Sequence, residues 1–360
     1  MPAPTQQTTM KFILDLDNLR PGDIILEHCY HPNSIQISEV LKSHYSHAMI
    51  FTGHKLLEAT PDRGVFSRVP NRFAFINKDD VKVMRLKEPL SDEIIDAIDS
   101  YASITVGSGY NKTQAIKSVL PVKPSPEIFK GQFCSRLVAQ SYSHAGVNLV
   151  DNINYCTPGD LERSPFLYSV ENAVKLATPN EIKHALEPSI HDEHALQTKQ
   201  WVTDAKRILA EHGKNPESIS DIFQCVFDLK NRRVEKLLSD SIKRSGYYDF
   251  YLRDQDINPY RYDVFLFSIR VASSVRDIEF EIKKELDIIK KHSLNLKNSK
   301  NNHRNYNNIL TKNEIQLYKD ILNISLTRLM VIYRHCINID LKSHAQNVSD
   351  MMKKIRKALS

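Results

Sequence analysis

Cys134 is the residue of this chain whose position best suits covalent chemistry. Gly131 breaks the preceding segment, and apolar residues recur at helical spacing from Leu137 to Ala145, so a helix is predicted whose first turn contains Cys134. The unpaired N–H groups and the positive end of the helix dipole favour a thiolate there, and a thiolate is a nucleophile. A small buried core cysteine is the alternative, so a catalytic role requires a histidine and an orienting polar group within reach.

His47 and Glu58 are the candidate partners of Cys134. They fall in two predicted strands, residues 46–51 and 56–59, that form a hairpin. A loop of two or of four residues puts both side chains on one face of the hairpin, whereas a three-residue loop turns Glu58 away. A carboxylate beside an imidazole fixes its tautomer and raises its basicity, as a nucleophilic triad requires. A surface ion pair is the alternative interpretation.

The spacing of apolar residues along the sequence predicts the strands and helices that would position these residues. The first 177 residues predict strands at 24–26, 46–51, 56–59 and 81–86, and a helix capped by Ser91, which together indicate an α+β unit. Beyond about residue 178 the pattern changes to long amphipathic stretches at about 193–212, 218–245, 262–293, 311–337 and 341–359, which predict an all-α domain. Residues 295–308 contain seven asparagines and predict an exposed connection between two long helices.

Several short motifs between residues 18 and 172 occur in an order that resembles the circularly permuted papain-like cysteine hydrolases. Within them the motifs are similar to the YiiX-like permuted amidases of the NlpC class, relatives of lecithin:retinol acyltransferase. In that family the histidine strand precedes the cysteine helix, the reverse of papain. The motifs are Pro21-Gly22-Asp23-Ile24-Ile25-Leu26, Ser46-His47-Ala48-Met49-Ile50, Leu57-Glu58-Ala59, Gly64-Val65, Phe133-Cys134-Ser135-Arg136-Leu137-Val138 and Thr157-Pro158-Gly159-Asp160-Leu161.

The resemblance implies a permuted papain-like domain over residues 12–177, with an antiparallel sheet and a cysteine-bearing helix, followed by an all-α domain of unknown role over residues 178–360. It makes Cys134 the nucleophile, His47 the base and Glu58 the group that orients His47. Tyr110 resembles a tyrosine that lines such sites, with a core tyrosine as the alternative. The backbone N–H of Cys134 is the natural first oxyanion donor.

The function expected from the resemblance is that of a cysteine acyl hydrolase, foremost an amidase or peptidase that acts on a bacterial-type peptide or amide. A phospholipid or lipid acyl hydrolase or acyltransferase, including an exported effector, is the second interpretation. A non-catalytic binding module that keeps the groove is the third. No cofactor is expected.

A metal site is a competing interpretation, because Cys29, His31, His44 and His47 fall within nineteen residues and are all zinc-ligand types. Their spacing matches no geometry in which successive strand or helix positions converge on one ion. His144 lies ten residues after Cys134, which turns it away from the cysteine on a helix and predicts a surface residue. The sequence therefore predicts a site without a metal.

Charge and targeting features limit the partners. Residues 1–175 carry 18 basic and 19 acidic side chains, a net charge of −1, whereas residues 176–360 carry 31 and 24, a net charge of +7, so the basic character belongs to the C-terminal part. A solvated helical face is the first interpretation, and no nucleic acid is expected; a membrane surface or a protein partner is left open. The N-terminal residues do not resemble a secretory signal and no apolar run could span a bilayer, which predicts a cytoplasmic protein, with signal-less export left open.

Overall fold

The computed structural model describes residues 10–30, 43–53, 55–109, 132–187, 190–271 and 274–360. Its backbone contacts divide the chain into two units. Unit 1 comprises Met1–Val202 and Asn215–Phe223, and unit 2 comprises Thr203–Lys214 and Gln224–Ser360. Unit 1 thus extends past residue 177, where the sequence pattern changes, and the domain boundary placed there remains a prediction.

Antiparallel strands form the framework of unit 1. A six-stranded sheet has the order β5-β4-β3-β2-β6-β7, and a separate two-stranded sheet pairs β1 with β8. The strands are β1 Phe12–Leu14, β2 Ile24–Glu27, β3 His47–Phe51, β4 Leu56–Thr60, β5 Gly64–Arg68, β6 Val81–Leu86, β7 Leu167–Ser169 and β8 Val174–Leu176. Short 3-10 turns lie at Pro70–Arg72 and Lys78–Asp80.

The six-stranded sheet has an apolar layer on each face, which explains why its central strands are continuous hydrophobic runs. Leu26, Ala48 and Ile50 belong to one cluster, which also contains the helix residues Leu137 and Val138. Residues that alternate with them along the same strands, such as Ile25, Met49 and Phe51, belong to a second cluster on the other face. A sheet that is covered on both sides is held rigidly and can position catalytic side chains at its strand ends.

The early helices of unit 1 begin where the sequence provides capping residues. Ser91 accepts a hydrogen bond from the backbone N–H of Ile94 at the start of the first helix. Thr157 and Asp160 form a capping box at the start of the third. These helices are α1 Asp92–Ile104, α2 Cys134–His144, α3 Pro158–Glu162 and α4 Pro179–Leu186. The α+β class predicted for this part of the chain is confirmed.

The C-terminal part is helical, also as predicted. Its helices are α5 Ile190–Ala210, α6 Ile219–Leu229, α7 Arg232–Ser245, α8 Asp254–Ile257, α9 Val264–Val271, α10 Val275–Tyr306, α11 Ile309–Asn338 and α12 Lys342–Leu359, with short 3-10 turns at Phe250–Arg253 and Pro259–Arg261. Among the described residues, no helix combines the length and the apolar character that crossing a bilayer requires.

The asparagine-rich segment differs from the prediction. Helix α10 continues through it to Tyr306, and only Asn307 and Asn308 connect the two long helices. Buried Leu296 and Ser299 pack this part of the helix into unit 2, so tertiary contacts override the weak helix propensity of asparagine. Asparagine is nevertheless used where it suits the backbone: Asn307 has the left-handed conformation at the end of α10, and the side chain of Asn308 caps α11.

Glu314 on α11 is a partly buried carboxyl whose state should control the pH stability of unit 2. Desolvation raises its pKa to about 7, although the hydroxyl of Ser299 donates a hydrogen bond to Oε2 at 3.0 Å. Because an unfolded glutamate titrates near 4.3, the folded state binds the extra proton between about pH 4 and pH 7. Stability should therefore fall as the pH rises through this window, and the loss should be complete above it.

Replacing Glu314 by glutamine should remove this dependence. At pH 8 the free energy of unfolding should rise by about 3 to 4 kcal/mol, and the gain should shrink as the pH falls towards 4, because wild-type Glu314 is then neutral as well. Urea unfolding at several pH values measures this. Glu211→Gln is the control, since the Glu211 side chain is 66% exposed. A constant difference between Glu314→Gln and wild type at every pH would contradict the assignment.

Candidate active site

Cys134 is the first residue of α2 and lies buried at its N-terminus. Phe133 before it is extended, and the first helical hydrogen bond runs from the N–H of Leu137 to the carbonyl of Phe133. Only 5% of the Cys134 surface is exposed. The predicted helix start is thus observed, and the thiol lies where the helix dipole favours its ionised form.

His47 and Glu58 meet on adjacent strands. Phe51 pairs with Leu56, so the hairpin loop has four residues, one of the two lengths that put both side chains on the same face. The Nε2 atom of His47 lies 2.8 Å from Oε2 of Glu58, and both side chains are almost fully buried. The carboxylate therefore fixes the orientation of the imidazole and favours a proton on Nε2.

Cys134 and His47 influence each other electrostatically, since each shifts the pKa of the other, and this links the three residues. Burial alone would raise the pKa of the Cys134 thiol, but the hydrogen bond and charge of His47 lower it, assisted by backbone hydrogen bonds at Ala48 and Ser135. Burial alone would lower the pKa of His47, but its bonds with Cys134 and Glu58 raise it well above the ordinary value. Both pKa shifts favour the charged form of each residue, a Cys134 thiolate beside a His47 imidazolium.

The other thiols near the site behave in the opposite way. Burial raises the pKa of Cys29 to about 12. Burial also raises the pKa of Cys156, whose Sγ donates to the carbonyl of Ser135 at 3.2 Å. Since a thiol reacts through its thiolate, Cys134 is the one of these three cysteines whose surroundings favour the reactive form.

Two charged residues of the site were missed in the sequence. Arg68 on β5 lies with its NH1 atom 3.9 Å from Oε1 of Glu58, and its guanidinium stacks over the Phe73 ring at 4.0 Å. Glu27 on β2 pairs directly with His47, and burial raises its pKa. The four strands thus place Glu27, His47, Glu58 and Arg68 on one face of the sheet. The alternation of residues along β2 and β5 could have indicated that Glu27 and Arg68 share the face of His47. That inference requires the strand order, which the sequence pattern does not give.

A short backbone segment ties the cysteine helix to the sheet. Ser108 accepts a hydrogen bond from the N–H of Val65 on β5, and Gly109 accepts one from the N–H of Gln132, two residues before Cys134. Gly64 lies against this segment with a φ of +72°, and a Cβ atom there would overlap the carbonyl oxygen of Ser108. The glycine therefore permits a close approach of two backbones.

Tyr110 and His31 lie outside the described residues. Within the ranges that the structure describes, no group of three or more His, Cys, Asp or Glu side chains is placed to hold a metal ion. His44 stacks on His28 with ring centroids 4.4 Å apart. His144 is exposed at the far end of α2, as its spacing from Cys134 predicts.

The chain matches one protein-family model, and that match agrees with the motifs. Residues 18–162 match the family model described as permuted papain-like amidase enzyme, YaeF/YiiX, C92 family. A solved structure described as the metalloprotein YiiX from Escherichia coli O157:H7 is 19% identical and covers 42% of this chain and 97% of its own, with a TM-score of 0.34. The curated proteins contain no match. The family match confirms the resemblance drawn from the sequence motifs.

Proposed function

Because residues 18–162 match the permuted papain-like amidases, we propose that this chain is a cysteine hydrolase that cleaves an amide bond through a Cys134–His47–Glu58 triad. The observation that carries the proposal is the environment of Cys134, whose pKa is lowered against the effect of burial by a histidine that a carboxylate orients. This is the combination that an activated thiol nucleophile requires.

The proposed reaction begins with the thiolate of Cys134, which attacks the carbonyl carbon of the amide. Since Nε2 of His47 is bonded to Glu58, Nδ1 is the ring nitrogen left to exchange the proton. The imidazolium gives that proton to the departing amine, and a thioacyl-enzyme forms. His47 then takes a proton from water, and the resulting hydroxide attacks the thioester. The carboxylic acid leaves, and Cys134 is again a thiolate beside the His47 imidazolium. The backbone N–H of Cys134 is the proposed first oxyanion donor.

A lipid ester is the second candidate substrate, favoured by the net charge of +7 on residues 176–360, which suits an anionic lipid surface. Incubation of the full chain with peptide amides and with phospholipid vesicles separates the two. Release of free amine supports an amidase, and release of free fatty acid supports a lipid hydrolase. A trapped thioacyl adduct at Cys134, detected by mass spectrometry of the intact protein, identifies the acyl group in either case.

A non-catalytic binding module would show no such adduct. A thiol-reactive acyl probe should label the native protein selectively at Cys134 if the chain is an enzyme. After unfolding this selectivity should disappear, because the thiol loses His47 and all the cysteines become exposed. Labelling at Cys29 or Cys156 instead, or none at all, would contradict the hydrolase proposal.

Glu58→Gln should lower kcat/KM by about 10- to 100-fold. Glutamine can still accept a hydrogen bond from His47, but it lacks the charge that stabilises the imidazolium. The expected loss is smaller than that on removal of His47. Glu162→Gln is the control, because Glu162 is a partly buried carboxylate in the same unit that is paired with Lys82 at 2.9 Å. Equal losses in the two variants would indicate a general effect on the fold.

A further inference from the structure

One exposed face of helix α10 carries cations at regular spacing. Lys283, Lys290, Lys297 and Arg304 are each seven residues apart and exposed, so they form a line along the helix of about 32 Å. None of the four forms an ion pair with another residue of the described part of the chain. Lys284, by contrast, is paired with Glu281 at 2.9 Å. The line of cations is therefore not used by the fold itself.

The same face carries exposed apolar side chains next to the cations. Phe280 is 52% exposed and Leu294 is 57% exposed, and both lie within one helical turn of a cation of the line. Two acids also occur on this side: Glu279 is bonded to His344 at 3.1 Å, and Asp287 is partly buried. Asp287 is the last acidic residue of this helix, because the sequence between Asp287 and Glu314 holds six basic and no acidic side chains.

A second cationic cluster lies beside the end of this line. The Nζ atom of Lys300 donates to the carbonyl of Ala358 at 3.3 Å, so the last turns of α12 lie next to the second half of α10. This end of α12 exposes four further cations, of which Lys353 is bonded to Asp350; they are Lys353, Lys354, Arg356 and Lys357. Unit 2 as a whole holds 29 basic and 18 acidic side chains, against 20 and 25 in unit 1.

We propose that this α10 cationic face, defined by Lys283, Lys290, Lys297 and Arg304 with Phe280 and Leu294, docks on an anionic lipid bilayer. Phosphate-bearing headgroups complement the line of cations, and the apolar side chains reach the boundary of the acyl chains, as in helices that lie in a membrane interface. Nucleic acid offers phosphates too. Exposed phenylalanine and leucine beside the cations fit a lipid surface better than a phosphate backbone, whose contacts are polar.

The test uses the full chain and sedimentation with vesicles of phosphatidylcholine, alone or with about 30 mol% phosphatidylglycerol. Binding should require the anionic lipid and should weaken strongly at about 0.5 M sodium chloride. Changing the four cations of the line to glutamine should weaken binding about fivefold for each charge removed, and so by at least about a hundredfold together. Cys134→Ala should bind like the wild type, which separates this result from the fate of the hydrolase proposal.

A charge-matched control decides whether the face itself matters. Arg207, Lys236, Arg244 and Lys342 are exposed cations elsewhere in unit 2, and their change to glutamine removes the same charge. The affinity of the control variant for anionic vesicles should fall by less than about tenfold. Circular dichroism checks the folding of both variants. Equal losses in the two variants, equal binding to neutral and anionic vesicles, or binding to duplex DNA without binding to anionic vesicles would each overturn the proposal.

Discussion

Cys134→Ala should lower the rate of substrate turnover by at least about 10⁴-fold, because no other group of the proposed triad can form the thioacyl bond. The change removes one buried sulfur atom and leaves the backbone of the helix and the sheet untouched. The thermal midpoint should therefore stay within a few degrees of the wild type. The effect is measured as turnover of whichever substrate, peptide amide or phospholipid, the wild-type protein cleaves faster. Circular dichroism checks the fold.

The other cysteines serve as controls for this prediction. Cys29→Ala and Cys225→Ala should both retain activity, since burial raises the pKa of the Cys29 thiol and Cys225 lies far along the chain in the helical part. Full activity in Cys134→Ala, or loss in Cys29→Ala alone, would assign the chemistry to a different residue and refute the proposed triad.

His47→Ala should reduce turnover by about 10³-fold and should also change how Cys134 responds to pH. In the wild type the pKa of Cys134 is lowered by His47, so its alkylation by neutral iodoacetamide should continue at pH values well below those at which ordinary thiols react. Without His47, burial is no longer opposed and the thiol pKa rises. The acidic limb of the alkylation profile should then move to higher pH, and the difference between the proteins should shrink above about pH 10.

The alkylation profile distinguishes this role from a loss of structure. A disturbed fold would expose Cys134 and speed its modification at every pH, whereas loss of the imidazolium slows it most at neutral and acidic pH. Glu162→Gln is again a suitable comparison, because it removes a carboxylate of the same unit that is paired with Lys82 and should leave the profile unchanged. Identical profiles for His47→Ala and wild type would show that the two side chains do not interact in solution.

Local patterns were enough to place His47 beside Glu58 and Cys134 at a helix start, whereas the pairing of Cys134 with His47 rested on the family resemblance. The strict alternation of a strand limits His47 and Glu58 to one face once the loop has an even number of residues, and four are observed. The helix that begins at Cys134 follows from the apolar spacing after Gly131. These inferences need only neighbouring elements, so they do not depend on the strand order.

Long-range pairing limited the rest. Arg68 reaches Glu58 only because β5 lies beside β4, and Glu27 meets His47 only because β2 pairs with β3. The asparagine-rich segment shows the same limit, since its composition favours a loop while buried Leu296 and Ser299 hold it in a helix. In each case a contact between distant parts of the sequence decides the outcome.

The position of the Cys134 thiol depends on Gly64, although glycine has no side chain that could take part in the chemistry. The backbone at Ser108 and Gly109 is anchored to β5 on one side and to Gln132, just ahead of the cysteine helix, on the other. Even a single methyl group at position 64 would collide with the Ser108 carbonyl and displace this bridge. A search limited to reactive side chains would therefore overlook Gly64. Mutational surveys of this chain should find that position 64 tolerates no other amino acid.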